Sequence, residues 1–176
     1  MEAAIDLARC MEADGEGRVL DQFSNPDNPL AHYQTTGPEI WRDTAGAITH
    51  FVSAMGTTGT VMGTGKFLKE RNPAVEIIGV QPLDDACIPG IRRWKPPYVP
   101  KIFERDQLDR IIDITQQEAE ETARLLASRE GIFCGISAGG AVAAALRLCQ
   151  QISNATIVTV ICDRGDRYLS THVFPS

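Results

Sequence analysis

Apolar residues run along this chain in two rhythms. One is the unbroken run: ITHFVSAM (Ile48–Met55), EIIGVQP (Glu76–Pro82), IIDIT (Ile111–Thr115) and TIVTVICD (Thr156–Asp163). Runs without polar alternation predict strands buried on both faces, as in a parallel sheet. VLDQF (Val19–Phe23) predicts one further short strand. The other rhythm is helical. Met1–Asp14 carries Ile5, Leu7, Ala8 and Met11 at helical spacing, with Gly15 as a stop. EIWRDTAG after Pro38 suits a short helix, and Thr58–Arg71 a longer one that ends before Asn72-Pro73. Thr115-Gln116-Gln117-Glu118 is a capping-box signature, opening a helix that should stop at Gly131. Another helix is expected from about Ala138 to Gln151. SNPDNPLAHYQTTGPE reads as a polar loop, and Leu83–Asp109 as a long, proline-rich irregular segment. Strands alternating with helices predict an α/β fold: a mostly parallel twisted sheet with helices on both faces.

Composition narrows the function classes. A chain of 176 residues, 43% apolar and 23% charged, suffices for one domain with a real core. A net charge of −6 argues against a nucleic-acid partner, which needs clustered Lys and Arg. No apolar stretch reaches membrane-spanning length, and the first residues do not read as a signal peptide, so no membrane partner is expected. The five cysteines (Cys10, Cys87, Cys134, Cys149, Cys162) are scattered, without metal or disulfide spacing. Reduced thiols in a cytoplasmic protein, and no metal site, are the expectation.

Three stretches carry candidate chemistry. In SAMGTTGTVMGTGKF, glycines follow a strand and open a helix, where backbone often meets phosphate. A Walker A loop is ruled out, because Phe67 follows Gly65-Lys66 where Ser or Thr is required. The dinucleotide fingerprint fails as well, with Thr58 and Leu68 at glycine positions. Gly56-Thr57-Thr58-Gly59-Thr60 remains. It suits a single phosphomonoester, or it is merely a turn joining strand to helix. In GIFCGISAGGAVAAAL, Ser137 precedes a helix whose first turn is nearly bare of side chains. It is an N-cap, or something approaches closely there. In IPGIRRW, Arg92, Arg93 and Trp94 suit a small anion, or the arginines are a solvated pair.

TTGPEIW, GTTGT after the strand, GIRRW, EGIFCGISAGG and CDRGDRYLS occur in that order along the chain. Together they resemble the B-type cysteine synthases, or O-acetylserine sulfhydrylases. These are pyridoxal-phosphate enzymes of fold type II in the tryptophan-synthase-β-like superfamily. The resemblance implies pyridoxal 5'-phosphate as cofactor, held at its phosphate by Gly56, Thr57, Thr58, Gly59 and Thr60. Ser137 would meet the pyridine nitrogen, and Cys162 and Asp163 would stand near the cofactor at the end of the last strand. A neutral hydroxyl at the ring nitrogen fits β-replacement, in which the leaving group departs promptly. Gln22 would lie near the substrate carboxylate. Arg92, Arg93 and Trp94 would admit the sulfur donor, with an arginine facing the cleft of Ser137.

The implied reaction makes L-cysteine, or S-sulfocysteine, from O-acetylserine and sulfide or thiosulfate, in a homodimeric whole protein. The family's Schiff-base lysine (S-V-K-D-R) and substrate loop (T-S-G-N-T-G) do not occur in this sequence. The resemblance therefore implies a carboxyl-side portion, inactive alone: residues 1–18 a remnant helix of the smaller domain, residues 19–176 the large cofactor-binding domain. The alternative is a non-catalytic module that binds a phosphorylated ligand or a partner.

Overall fold

The structure is a computed structural model that describes residues 2–84 and 86–174. Four strands form one parallel sheet: β1 (His50–Ala54), β2 (Glu76–Pro82), β3 (Arg110–Ile114) and β4 (Ile157–Thr159), in the order β3-β2-β1-β4. Phe51 pairs with Ile77 and Val158, and Val52 with Ile78 and Thr159. Successive side chains alternate between faces. Phe51 and Ile77 enter one core with Met62, Phe67 and Leu68 of α4 (Gly59–Arg71). Val52 and Ile78 enter another with Ala144 and Leu148 of α6 (Ile136–Cys149). Both faces are covered, which is why these strands are apolar at nearly every position.

The connections divide between the two faces. β1 reaches β2 through α4. β3 reaches β4 through α5 (Gln116–Glu130) and α6, crossing back past β2 and β1 on the other side. The capping box is present at α5: Glu118 N–H donates to the Thr115 hydroxyl at 3.2 Å, and Thr115 N–H donates to the Glu118 carboxylate at 2.9 Å. The described residues between β2 and β3 are irregular apart from a 3-10 turn at Arg105–Gln107. Burial of Ile88, Ile91 and Leu108 ties them down. Among the described residues no helix is long and apolar enough to cross a membrane.

Four local expectations are corrected. VLDQF is not a strand. Asp21 adopts a positive φ of 40°, and its carbonyl accepts from the N–H groups of Ser24 and Asn25 at 2.9 and 2.8 Å. Its carboxylate takes the Ser24 hydroxyl as well, so a side-chain-stabilised turn wins over extension. The polar loop is mostly helix: α2 (Asp27–Gln34) and α3 (Thr36–Asp43) follow α1 (Glu2–Ala13). Pro29 and Pro38 sit in first turns, where a missing N–H costs nothing, and Pro26 caps α2. α6 begins at Ile136 with Gly135 as its cap, so Ser137 lies inside the first turn and is not the cap. The last strand is shorter and only half-buried, because it pairs with β1 alone at the sheet edge. Beyond it the Asp163 carbonyl accepts from Gly135 N–H at 3.1 Å, and Cys134 bridges Arg164, which draws the backbone away from the sheet.

α2 lies against α4 with glycine at the contact. A Cβ at Gly63 would overlap the Pro29 carbonyl, which is backbone and has no rotamer to escape into. Gly63→Ala is therefore expected to lower stability by about 1–3 kcal/mol, read as a lower urea midpoint. An unchanged midpoint would mean that α2 does not pack there.

Candidate functional site

At the carboxyl ends of β1 and β4 the chain departs toward opposite faces of the sheet, and a cavity of about 230 Å³ opens between them. Crevices of this kind are where ligands of open α/β sheets gather. One wall is the turn after β1, with Gly56, Thr57, Thr58 and Thr60. The opposite wall is Cys162 and Asp163 after β4. Ser137 of α6 and Gly90 of the irregular segment complete it.

The turn is a set of donors without acceptors. Among the described residues no backbone carbonyl accepts from the N–H groups of Gly56, Thr57, Thr58 or Thr60. The last of these belongs to the first turn of α4, where the helix dipole adds partial positive charge. Thr58 is in the left-handed region at φ 76°, costly for a β-branched residue. Its hydroxyl oxygen is buried and has no partner. A backbone outlier and an orphaned hydroxyl in one residue suit a bound acceptor. Gly56 leaves the approach open, since a Cβ there would come within 3.0 Å of the Gly90 carbonyl. A phosphate dianion fits this donor set.

The turn is braced from behind. Asn28 donates to the Thr57 hydroxyl at 3.0 Å and to the Gln22 carbonyl at 2.7 Å. The His32 ring joins the Thr60 hydroxyl at 3.2 Å to that of Thr36 at 2.9 Å. Burial pushes the His32 pKa below its ordinary value, favouring a neutral ring with one donor and one acceptor. The Trp94 indole donates to the Gly56 carbonyl at 2.6 Å.

Ser137 is 4% exposed, and no hydrogen bond among the described residues involves its hydroxyl. Gly90 backs it at φ +85°, and a Cβ there would lie 3.1 Å from the Ser137 oxygen, so Gly90 serves both conformation and clearance. On the far wall one oxygen of Asp163 accepts from the Tyr168 hydroxyl at 2.6 Å, while the other is buried without a partner. Burial first, then the Asp163 bond and charge, push the Tyr168 pKa up to about 12. Cys162 is exposed, and its thiol lies at the edge of the cavity beside Asp163. Burial and then the Asp163 carboxylate push it up, keeping it a thiol.

The structure thus gathers Gly56, Thr57, Thr58, Thr60, Ser137, Cys162 and Asp163 around one cavity. Gly59 lies behind it, against Asn28. Gln22 lines a separate cavity under α1. Arg92, Arg93 and Trp94 line a third, of about 650 Å³, so neither arginine faces the cleft of Ser137. The reason is local pairing. Arg93 is held by Asp113 at 2.6 Å and by the Pro82 carbonyl at 2.9 Å, and Arg92 by the carbonyls of Ile88 and Ile91. The Arg93 pairing shows in Asp113. Burial alone would raise its pKa, but hydrogen bonds from Gln81 and Arg93, with the Arg93 charge, hold it below the usual value. None of the chain's lysines, Lys66, Lys69, Lys95 and Lys101, lines the cavity of Ser137. Asn28, His32, Gly90 and Tyr168 escaped the sequence reading. The first two lay in what read as a loop, and no local pattern announces their contacts with the turn.

The family model for pyridoxal-phosphate dependent enzymes matches residues 1–163. Cysteine synthase B of Pseudomonas aeruginosa is 60% identical over 174 residues, covering 99% of this chain and 58% of the relative. Cysteine synthase B of Escherichia coli is 59% identical over 99% of this chain and 57% of its own length. The crystal structure of cysteine synthase from Entamoeba histolytica superposes with a TM-score of 0.88 at 35% identity, over 99% of this chain and 54% of that one. The chain therefore spans less than three-fifths of the length of the relatives it matches.

Thr58→Gly should relieve the left-handed strain and remove the orphaned hydroxyl together. In the absence of ligand it is expected to raise stability by about 1 kcal/mol, after the entropy cost of glycine, while weakening affinity for a phosphorylated ligand. Lower stability of the free protein in thermal unfolding would show that Thr58 is not strained.

Proposed function

Since the chain belongs to the family of pyridoxal-phosphate dependent enzymes, we propose that its cavity holds the phosphate of pyridoxal 5'-phosphate, and that the whole protein makes L-cysteine or S-sulfocysteine from O-acetylserine and sulfide or thiosulfate. One observation carries the reading: unpaired N–H groups and a buried, unpartnered Thr58 hydroxyl converge at the switch point of the sheet. The similarity to proteins named cysteine synthase B supports the substrate class.

The bound cofactor would supply an electron sink for β-replacement at the amino acid. The chain's own residues would do the holding. Gly56 to Thr60 would bind the phosphate through N–H groups and the Thr58 hydroxyl. The Ser137 hydroxyl, unused within the fold, would meet the ring nitrogen as a neutral partner. Asp163, fixed by Tyr168, and the Cys162 thiol would close the far wall. Gln22 faces the cavity under α1, and its assignment to the substrate carboxylate rests on the resemblance alone. Arg92 has no carboxylate partner among the described residues, so it is the better placed of the two arginines to attract a sulfur oxyanion. The whole protein would work as a cytoplasmic homodimer on these small molecules, in keeping with the resemblance in its motifs.

A second reading, a non-catalytic module for a phosphorylated ligand, is favoured by one fact: no lysine lines the cavity. Purified chain mixed with equimolar pyridoxal 5'-phosphate should bind one equivalent, displaced by excess inorganic phosphate. Borohydride should then leave no pyridoxyl group on Lys66, Lys69, Lys95 or Lys101, and O-acetylserine with sulfide should give no turnover above free cofactor. No binding would reject the phosphate site. A labelled lysine, or turnover by this chain alone, would reject the proposal that its own residues only hold the cofactor. Absence of cysteine formation by the whole protein with cofactor bound would favour the module.

A further inference from the structure

Trp94 belongs to the segment that sequence reading gave to the substrate, yet its indole N–H donates to the Gly56 carbonyl at 2.6 Å. The Gly56 carbonyl and the Thr57 N–H belong to one planar trans peptide, so they point in opposite directions. Pinning the carbonyl toward Trp94 turns the Thr57 N–H away from it. That N–H meets no carbonyl among the described residues, and Thr57 lines the cavity. Without a donor at the carbonyl, this glycine-flanked peptide is free to flip, which would present an oxygen to an anion in place of a hydrogen.

Trp94 is itself held. Its ring meets Phe23 edge-on at 5.4 Å. Its backbone neighbours are docked, since Arg92 N–H donates to the Met55 carbonyl at 2.8 Å and Arg93 is clamped to Asp113 and Pro82. We infer that Trp94 is a positioning residue of the phosphate cradle: it sets the orientation of the Gly56–Thr57 peptide so that Thr57 N–H is presented to the phosphate. The inference rests on the reading of Gly56 to Thr60 as that cradle.

The test compares the chain with Trp94→Phe, which keeps the ring against Phe23 and removes only the donor. Each is titrated with pyridoxal 5'-phosphate and with pyridoxal, which lacks the phosphate. The variant should bind pyridoxal 5'-phosphate about fivefold more weakly and pyridoxal as before. Equal losses for both ligands, or none, would overturn the inference while leaving the cradle standing. An unmodified chain that does not discriminate between the ligands would overturn the cradle, and the inference with it. Should the variant fail to fold, amide NMR of the unmodified chain with inorganic phosphate decides. The Thr57 amide proton is expected to move downfield on binding. Movement at Gly56 and Thr58 without Thr57 would reject the role of Trp94, and no movement at any of them would reject the cradle.

Discussion

β1 and β4 lie side by side, but the chain leaves β1 for α4 on one face and leaves β4 for the other, so no backbone closes the space above their carboxyl ends. The donors stranded there could not be paired by the fold itself without filling that space. Unpaired buried donors cost about 1–3 kcal/mol each when nothing solvates them. A fold carries that cost where a ligand or water meets it, and where the packing beneath is dense. Here Phe51 and Val52 of β1 and Ile77 and Ile78 of β2 are fully buried. The site is thus a consequence of strand order before it is a matter of any single side chain.

Three residues from two segments distant in sequence hold the turn in place from behind: Asn28 and His32 from α2, and Trp94 from the irregular segment. Each uses a neutral hydrogen bond, so none competes in charge with an anion. Arg93 is matched by Asp113, and one oxygen of Asp163 accepts from Tyr168. The positive potential at the turn therefore comes from backbone N–H groups and the α4 dipole, which require no reorganisation when an anion arrives.

The legible part of the sequence was that dictated by burial on two faces. β1 and β2 read as unbroken apolar runs because α4 covers one face and α6 the other, and α5 was marked by its capping box. The illegible part depended on tertiary contact. Val19–Phe23 reads as a short strand but has no neighbour to pair with, and the Asp21 turn takes over. Asp27–Gln34 looks like loop because its proline and asparagine are helix breakers in general. In a first turn Pro29 costs little, and Asn28 reaches Thr57. The roles of Gly56 to Thr60 and Ser137 were visible as motifs, and their meeting at one cavity required the sheet order. That Arg93 opens on a different cavity followed from Asp113, 20 residues further along the chain and on β3.

Phosphorus NMR of pyridoxal 5'-phosphate bound to the chain, followed from pH 5 to pH 8, tests the anion cradle most directly. A free phosphomonoester takes up its second proton near pH about 6. Held by backbone donors at a helix N-terminus, the dianion is favoured, so the bound resonance should stay at the dianion position across the range. A bound resonance that titrates like the free ligand would contradict the account, because the phosphate would then be in water and not in the turn.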